Sequence, residues 1–388
     1  MQKRLGVIVL AAGFSSRMGA FKPLLPFGET TVAEHLIRNL RSIGLSDIHV
    51  ITGFRADELA GRLAASGAVA VHNPHFEEGM FSSIQTGIQS LPRGLDGFFV
   101  LPVDTPLVRP GTFRFLANAL DASTRKGIFI PRFSGRRGHP PLLDAGWAEA
   151  ILQWQGPYGL RGFFQSQAGN CVEVDVPDRL MLLDMDTPEK YRALLLALPR
   201  QDIPDREECL ALLRSLNTPP EELRRIQEAS CLATFLGHTL TACGHTLDLQ
   251  RLEAAALLQH LKPAASEHPE SLPAFLKDIG FGRVAETLAT AAHIDPLSTG
   301  PLKEADILLL ADCHLRRGAA TGTAASSVGT PSSCFGESEG SEADRRGIDK
   351  VQALEKRFEE TCGKTVSRAL QEYREHDDPR RSHGGKAN

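Results

Sequence analysis

The stretch Val7–Gly28, VIVLAAGFSSRMGAFKPLLPFG, decides how this chain is read. An apolar run stops abruptly at Ala11, Ala12 and Gly13. Two serines, Arg17, a second glycine and Lys22 follow. Leu5–Leu10 is apolar on both faces, which predicts a buried parallel strand. A glycine after such a strand lets backbone N–H groups converge on an anion, and the start of the next helix adds a positive dipole end. With Arg17 and Lys22 beside it, the loop is suited to cradling a polyphosphate. The plainer alternative is a strand-to-helix turn with surface cations, since small basic loops are common. Neither G-x-x-x-x-G-K-[ST] nor G-x-G-x-x-G is present.

Working outward, Thr31–Ser42 reads as a helix, with Val32, Leu36 and Leu40 spaced by four. A strand over 48–53, a helix over 56–65, a strand in AVAVHNP, a helix over 80–90 and a strand in GFFVLPVD follow. Strand alternating with helix is the pattern of a doubly wound, Rossmann-like α/β layer. Ligands bind such sheets beyond the carboxyl ends of the strands. The basic loop and Asp104 both fall there. A carboxylate ending an apolar strand is a poor core residue and a good Mg²⁺ ligand.

The chain has 388 residues, which favours two or three domains. Its 42% hydrophobic and 23% charged residues are those of ordinary globular proteins, and its net charge of -4 gives no reason to expect nucleic acid or a membrane as partner. The apolar run near the start is too short for a secretory core or a spanning helix. Seven cysteines without close pairs fit neither a disulfide framework nor a zinc knuckle, so a reduced, cytoplasmic protein is expected. An α/β domain is expected over 1–197. PRQDIPD reads as a linker into an all-α domain over 198–317, with helices over 206–216, 221–240, 248–261, 271–279, 284–292 and 303–317. A Gly/Ser/Thr-rich loop over 318–347, one helix over 348–375 and a polar, disordered tail over 376–388 complete the expected order.

The segment LAAGFSSRMGAFKPLL closely resembles the L-A-A-G-x-S-x-R-M-G-x-x-K signature of nucleotidyltransferases that act on the molybdenum cofactor, in the cytidylyltransferase branch. NPHFEEGMFSSIQTGI, PVDTPLV, GRRGHPPLL, GPYGLRGFF and DMDTPEKY resemble five further motifs of that family, in order, over about 190 residues. Two positions depart from the pattern: Thr105, where many members carry another residue, and Lys190, where the closing motif is acidic.

The resemblance implies transfer of CMP from CTP to molybdenum-bound molybdopterin, with pyrophosphate leaving. A molybdenum hydroxylase apoenzyme becomes a candidate partner for the product. Charge builds on phosphate oxygens in such a transfer, and Arg17 and Lys22 are the residues to stabilise it, Lys22 at the α-phosphate. Leu10, Ala11, Ala12, Gly13, Asn73, Gly79, Ser83 and Asp104 are carried over as the nucleotide side. Asp104 and Asp186 are carried over as carboxylates for Mg²⁺, and Arg137, Gly138 and His139, with Arg136 beside them, as the acceptor side. Ala12 stands where guanylyl-transferring relatives have glycine, and its methyl favours a pyrimidine. Competing readings stay open. Asn73, Gly79 and Ser83 would also serve as turn and cap residues, and Asp186 as a helix cap before Pro188. Asp184 would point away from Asp186 if their segment is extended. Arg136 and Arg137 would also suit an exposed basic hairpin. A different phosphorylated acceptor, or a carrier that delivers the cofactor, are the alternative functions.

In the helical half, LDLQRLEAAALLQHLKP resembles the core helix of HD-type metal phosphohydrolases, over roughly Glu221–Gly318. Gln259 and His260 stand where that family has His and Asp, and Ile226 takes the place of its first histidine. His268, His293 and Asp312 remain. Glutamine is a poor metal ligand and such a site needs its central carboxylate, so a degenerate, non-hydrolytic module for docking or regulation is expected.

Overall fold

The computed structural model describes residues 3–261, 271–293, 300–320 and 342–376. The chain divides into two units, residues 1–202 with 278–280, and residues 203–277 with 281–388.

The first unit is built on a mixed sheet. Its strands are β1 (Leu5–Leu10), β4 (Asp47–Thr52), β5 (Val69–His72), β6 (Gly97–Pro102), β7 (Ile128–Phe133), β8 (Arg136–Arg137), β9 (Leu142–Asp144) and β10 (Cys171–Asp175); β2 (Pro26–Phe27) and β3 (Thr30–Thr31) pair separately. The order across the sheet is β10-β7-β9-β6-β1-β4-β5, with β8 joined to β7 alone. β1 lies parallel to β4 and β6, β4 to β5, and β7 to β10. β9 runs antiparallel to both β6 and β7. A purely alternating strand–helix reading does not foresee β9. Three residues at the end of GRRGHPPLLD are too few to show a period.

The helices of this unit are α1 (Val32–Ser42), α2 (Ala56–Leu63), α3 (Met80–Ser90), α4 (Pro110–Ala122), α5 (Ala148–Leu152), α6 (Gly159–Ser166) and α7 (Pro188–Ala197). α1 starts where it does because Thr31 and Glu34 form a reciprocal cap: Glu34 N donates to Thr31 Oγ1 at 3.3 Å and Thr31 N to Glu34 Oε2 at 2.9 Å. β1 is covered on both faces, with Val7 and Ile8 wholly buried. Phe98 joins a core with Ile8, Ile84 and Ile88, on the α3 side. Its neighbour Phe99 meets Phe113 of α4 edge-on, ring centroids 5.1 Å apart. Successive strand residues face opposite sides, so α3 and α4 cover opposite faces of the sheet. Gly87 permits the α3 contact, since a Cβ there would lie 2.4 Å from Ile8 Cγ2.

Register sets the site. Leu10 pairs with Pro102, so the loop after β1 and Asp104 leave the same edge of the sheet.

The second unit is helical: α8 (Arg206–Ser215), α9 (Pro220–Ala242), α10 (Leu249–Leu258), α11 (Leu272–Asp278), α12 (Gly282–Ala292), α13 (Glu304–Ala320), α14 (Glu342–Cys362) and α15 (Val366–His376). α9 packs against α10 and α13, and Ala233, Leu236, Leu240, Leu252 and Leu257 are sealed from solvent. Asp205 and Glu208 cap α8 reciprocally at 2.9 and 2.8 Å. The single helix expected over 348–375 is two, α14 and α15, separated at Gly363, whose φ of +65° ends the first. Within the stretch expected as a loop over 318–347, residues 318–320 belong to α13 and 342–347 to α14. The rest of that stretch, the tail beyond His376, and His268 lie outside the described residues. Ile226 is buried, His293 ends α12 on the surface, and His260 Nε2 lies 3.0 Å from Asp312 Oδ1. Among the described residues no helix is long and apolar enough to cross a membrane.

Candidate active site

The loop after β1 is folded by its own serine. Ser15 adopts φ +57°, its carbonyl accepts from Met18 N at 3.0 Å, and its Oγ accepts from Lys22 N at 3.2 Å. That turn brings Lys22 back over the end of β1. Nothing in the composition points to Ser15; its sign is a hydroxyl residue inside a glycine loop, a position where local side-chain to backbone bonds form turns.

Lys22 meets two carboxylates. Its Nζ lies 3.1 Å from Asp104 Oδ2 and 2.7 Å from Asp186 Oδ1, with only 12% of its side chain exposed. Burial alone would lower the Lys22 pKa, but the bonds and charges of Asp186 and Asp104 outweigh it and the net shift is upward. The hydrogen bond from Lys22, with the charges of Lys22, Arg17 and Lys190, holds the Asp186 carboxyl below the usual range against some desolvation. Arg17 reaches the other oxygen, Nη1 to Asp186 Oδ2 at 3.2 Å, from an exposed position.

The segment carrying Asp184 and Asp186 is pinned by Met185, which is wholly buried and whose N–H donates to Asp104 O at 3.1 Å. The two aspartates are not turned to opposite sides, since both line the same cavity. Asp184 Oδ1 accepts from Asp186 N at 3.0 Å, a turn that leaves both on the same cleft. Asp184 is also held by Lys190 Nζ at 2.6 and 2.8 Å. The helix-cap role belongs to Thr187, whose side chain accepts from Lys190 N at 3.4 Å, with Pro188 at the first helical position. Asp186 is therefore free of capping.

These groups line a cavity of about 530 Å³. Ser15, Ser16, Arg17 and Lys22 line it together with Asp104, Thr105, Asp184 and Asp186. Arg136, Arg137, Gly138 and His139 also line it, with Met181 and Leu182. Arg137 is not idle, since its Nε lies 2.7 Å from Glu173 Oε1. Arg136 has no ion-pair partner among the described residues. Desolvation pushes the His139 imidazole pKa down, against the charges of Asp104 and Asp184.

The remaining sequence candidates lie elsewhere. Leu10, Ala11 and Ala12 are buried at the end of β1, and Gly13 is exposed just past it. Ala12 O accepts from Phe54 N at 3.1 Å. Asn73 is fully buried: its Nδ2 donates to Ser82 Oγ at 2.9 Å and Ser83 Oγ at 3.0 Å, and its Oδ1 accepts from His75 N at 2.9 Å. Asn73 and Ser83 thus fasten the β5–α3 connection and do not line the cavity. Gly79, at φ +106°, precedes α3, and it is the next residue, Met80, that reaches the cavity with 63% of its surface exposed.

Residues 7–171 match the family described as MobA-like NTP transferase domain. The chain is 28% identical over 185 residues to the molybdenum cofactor cytidylyltransferase of Escherichia coli (strain K12), covering 47% of this chain and 92% of that protein. It is 30% identical over 146 residues to a probable molybdenum cofactor guanylyltransferase of Bacillus cereus (strain AH187), covering 37% of this chain and 68% of that protein. It is 27% identical over 195 residues to the nicotine blue oxidoreductase of Paenarthrobacter nicotinovorans, covering 48% of this chain and 95% of that protein.

Proposed function

This chain belongs to the MobA-like NTP transferase family through residues 7–171 and is a nucleotidyltransferase; from that premise we propose that it transfers CMP from CTP to molybdenum-bound molybdopterin. The observation that carries the proposal is the convergence of Lys22 and Arg17 on Asp104 and Asp186 at the carboxyl edge of β1 and β6.

In the reaction, an oxygen of the acceptor's terminal phosphate attacks the α-phosphorus of CTP. The bond from that phosphorus to the bridging oxygen breaks, and pyrophosphate leaves with the electron pair. Little bond chemistry falls to the protein, so its task is alignment and charge stabilisation. Lys22 supplies an ammonium at the α-phosphate and Arg17 a guanidinium toward the leaving phosphates. Arg136 and Arg137, which line the same cavity, suit the acceptor's phosphate. Asp104 and Asp186 would hold Mg²⁺. Their fit is supported by the ammonium that both already hold, since it shows the two carboxylates aimed at one cation position. The cation would neutralise charge on the triphosphate oxygens.

The relatives' names divide between cytidylyl transfer in E. coli and guanylyl transfer in B. cereus, so the choice of nucleotide rests on the resemblance at Ala12, which is buried at the end of β1. The helical unit is proposed as a degenerate HD-like module for docking or regulation. Pyrophosphate release, measured with Mg²⁺, molybdenum-loaded molybdopterin and each of CTP, GTP, ATP and UTP, tests the proposal. CTP should be strongly preferred. Preference for GTP overturns the argument from Ala12, and no release with any nucleotide overturns the acceptor.

A further inference from the structure

The resting cavity carries its own counter-cation. Lys22 Nζ sits between Asp104 and Asp186 at ordinary ion-pair distances, largely out of solvent, while its backbone is tied by Ser15. An ammonium between two carboxylates occupies the position that a divalent cation would take from the same oxygens. The two cations cannot share it, because like charges at contact repel. Asp184, the third carboxylate, is already neutralised by Lys190.

We propose that the Lys22 ammonium closes the metal position of the resting enzyme, so that a divalent cation enters only together with a nucleoside triphosphate. This rests on the reading of Asp104 and Asp186 as the metal's carboxylates.

Charge explains why the triphosphate is required. The cavity is lined by four Arg or Lys side chains and three Asp side chains, so it is net positive before any ligand arrives. A bare divalent cation must expel Lys22 from its only carboxylates and add further positive charge. A metal–triphosphate complex is net negative. It lowers the charge of the cavity and offers phosphate oxygens to which the displaced ammonium can turn. Lys22 thus has two anionic partners in sequence: the aspartates at rest, and the α-phosphate when substrate is bound. The exchange also screens substrates, since an acceptor phosphate arriving first meets no metal to bind.

Mn²⁺ serves as a probe because its free aquo ion gives an electron paramagnetic resonance signal that falls on binding. The full-length protein is titrated alone and with the non-hydrolysable α,β-methylene analogue of CTP. Wild type should take up little Mn²⁺ alone and one equivalent with the analogue. Lys22→Met, without nucleotide, should bind Mn²⁺ about tenfold or more tightly than wild type alone, a change of about 1.4 kcal/mol. Lys22→Arg, which keeps a cation, should stay near wild type, and adding Asp186→Asn to Lys22→Met should abolish the gain. Thermal melting of each variant confirms that it is folded. If Lys22→Met gains nothing while Asp186→Asn prevents uptake with the analogue, the counter-cation proposal is wrong and the metal assignment stands. A gain in Lys22→Arg equal to that in Lys22→Met would also overturn it. If the analogue recruits Mn²⁺ equally to wild type and Asp186→Asn, the metal assignment fails and takes the proposal with it.

Discussion

Lys22 Nζ and Asp186 Oδ1 lie 2.7 Å apart although 164 positions separate the residues. The chain achieves this by two local devices, the Ser15 turn that returns Lys22 to the sheet edge and the buried Met185 that fixes Asp186 beside Asp104. Both residues are thus fixed at the cavity before substrate arrives, and a cation positioned in advance, able to turn to the α-phosphate, is what a phosphoryl-type transition state requires. Lys22→Ala should therefore cut turnover by on the order of 100-fold or more, as for loss of one transition-state donor. Asp104→Asn should lose the Mg²⁺-dependent rate. Steady-state pyrophosphate release decides both, and an unchanged rate in either variant removes the corresponding role.

The two neighbouring arginines should separate by their partners. Arg137 is engaged by Glu173, which Arg132 also holds at 2.8 Å. Arg136 has no ion-pair partner among the described residues and lines the same cavity. A free guanidinium can form a full charge-assisted pair with an incoming phosphate, whereas an engaged one must first give up its carboxylate. Arg136→Ala is expected to raise the acceptor's KM by about tenfold while leaving that of CTP near wild type, the equivalent of about 1.4 kcal/mol. Arg137→Ala should change it less. Initial rates varied in each substrate would reverse this assignment if Arg137→Ala proved the more damaging.

Much of this was legible in the residues because the signals are local. Leu5–Leu10 announces a buried strand by being apolar on both faces, and β1 pairs in parallel on each side. Met80–Ser90 shows its helical spacing and its exact bounds are those of α3. Long-range or very short features were not legible. β9 is three residues long, shorter than any period can reveal. The placement of Asp184 beside Asp186 depends on a side-chain turn, which period-two reasoning for strands does not contain. Asn73 and Ser83 carry polar groups suited to a ligand, yet they satisfy one another inside the β5–α3 connection, a pairing that only the folded chain displays. The break at Gly363 is the reverse case. A glycine was visible in a helical pattern, and whether it bends or ends the helix depends on its φ.

Acid stability should report on His35. The ring is 9% exposed, meets Phe27 edge-on at 4.9 Å, and accepts from Asn39 Nδ2 at Nε2, 3.0 Å away. Burial, with the charge of Arg38, pushes its pKa from 6.5 down to about 4. A depressed folded pKa means the unfolded chain takes up the proton first. The contribution is therefore complete above about pH 6.5 and is lost progressively as pH falls toward 4. The full loss is about 3 kcal/mol. Urea unfolding of wild type and His35→Gln at pH 7 and pH 4.5 should show the wild-type stability falling more steeply. Parallel declines would exclude His35 as the cause.

The buried pair of Arg109 and Asp178 gives a sharper test, because its two members predict different costs. Asp178 is 1% exposed and Arg109 4%. The carboxylate accepts from Arg109 N at 2.8 Å, Thr112 Oγ1 at 2.7 Å and Leu180 N at 3.0 Å, and lies 3.4 Å from Arg109 Nη1. It thereby ties the start of α4 to the connection that follows β10. Removing one charge of a buried pair leaves the other without its counter-charge, at about 3 kcal/mol or more, whereas replacing both by apolar groups is often close to neutral. Asp178→Asn should lower stability by about that amount in denaturant unfolding. Adding Arg109→Met should recover part of the loss, because the buried guanidinium whose charge Asp178 helps to balance is then gone. A double variant less stable than Asp178→Asn would mean that the guanidinium's bond to Gln201 O, at 2.7 Å, matters more than its charge.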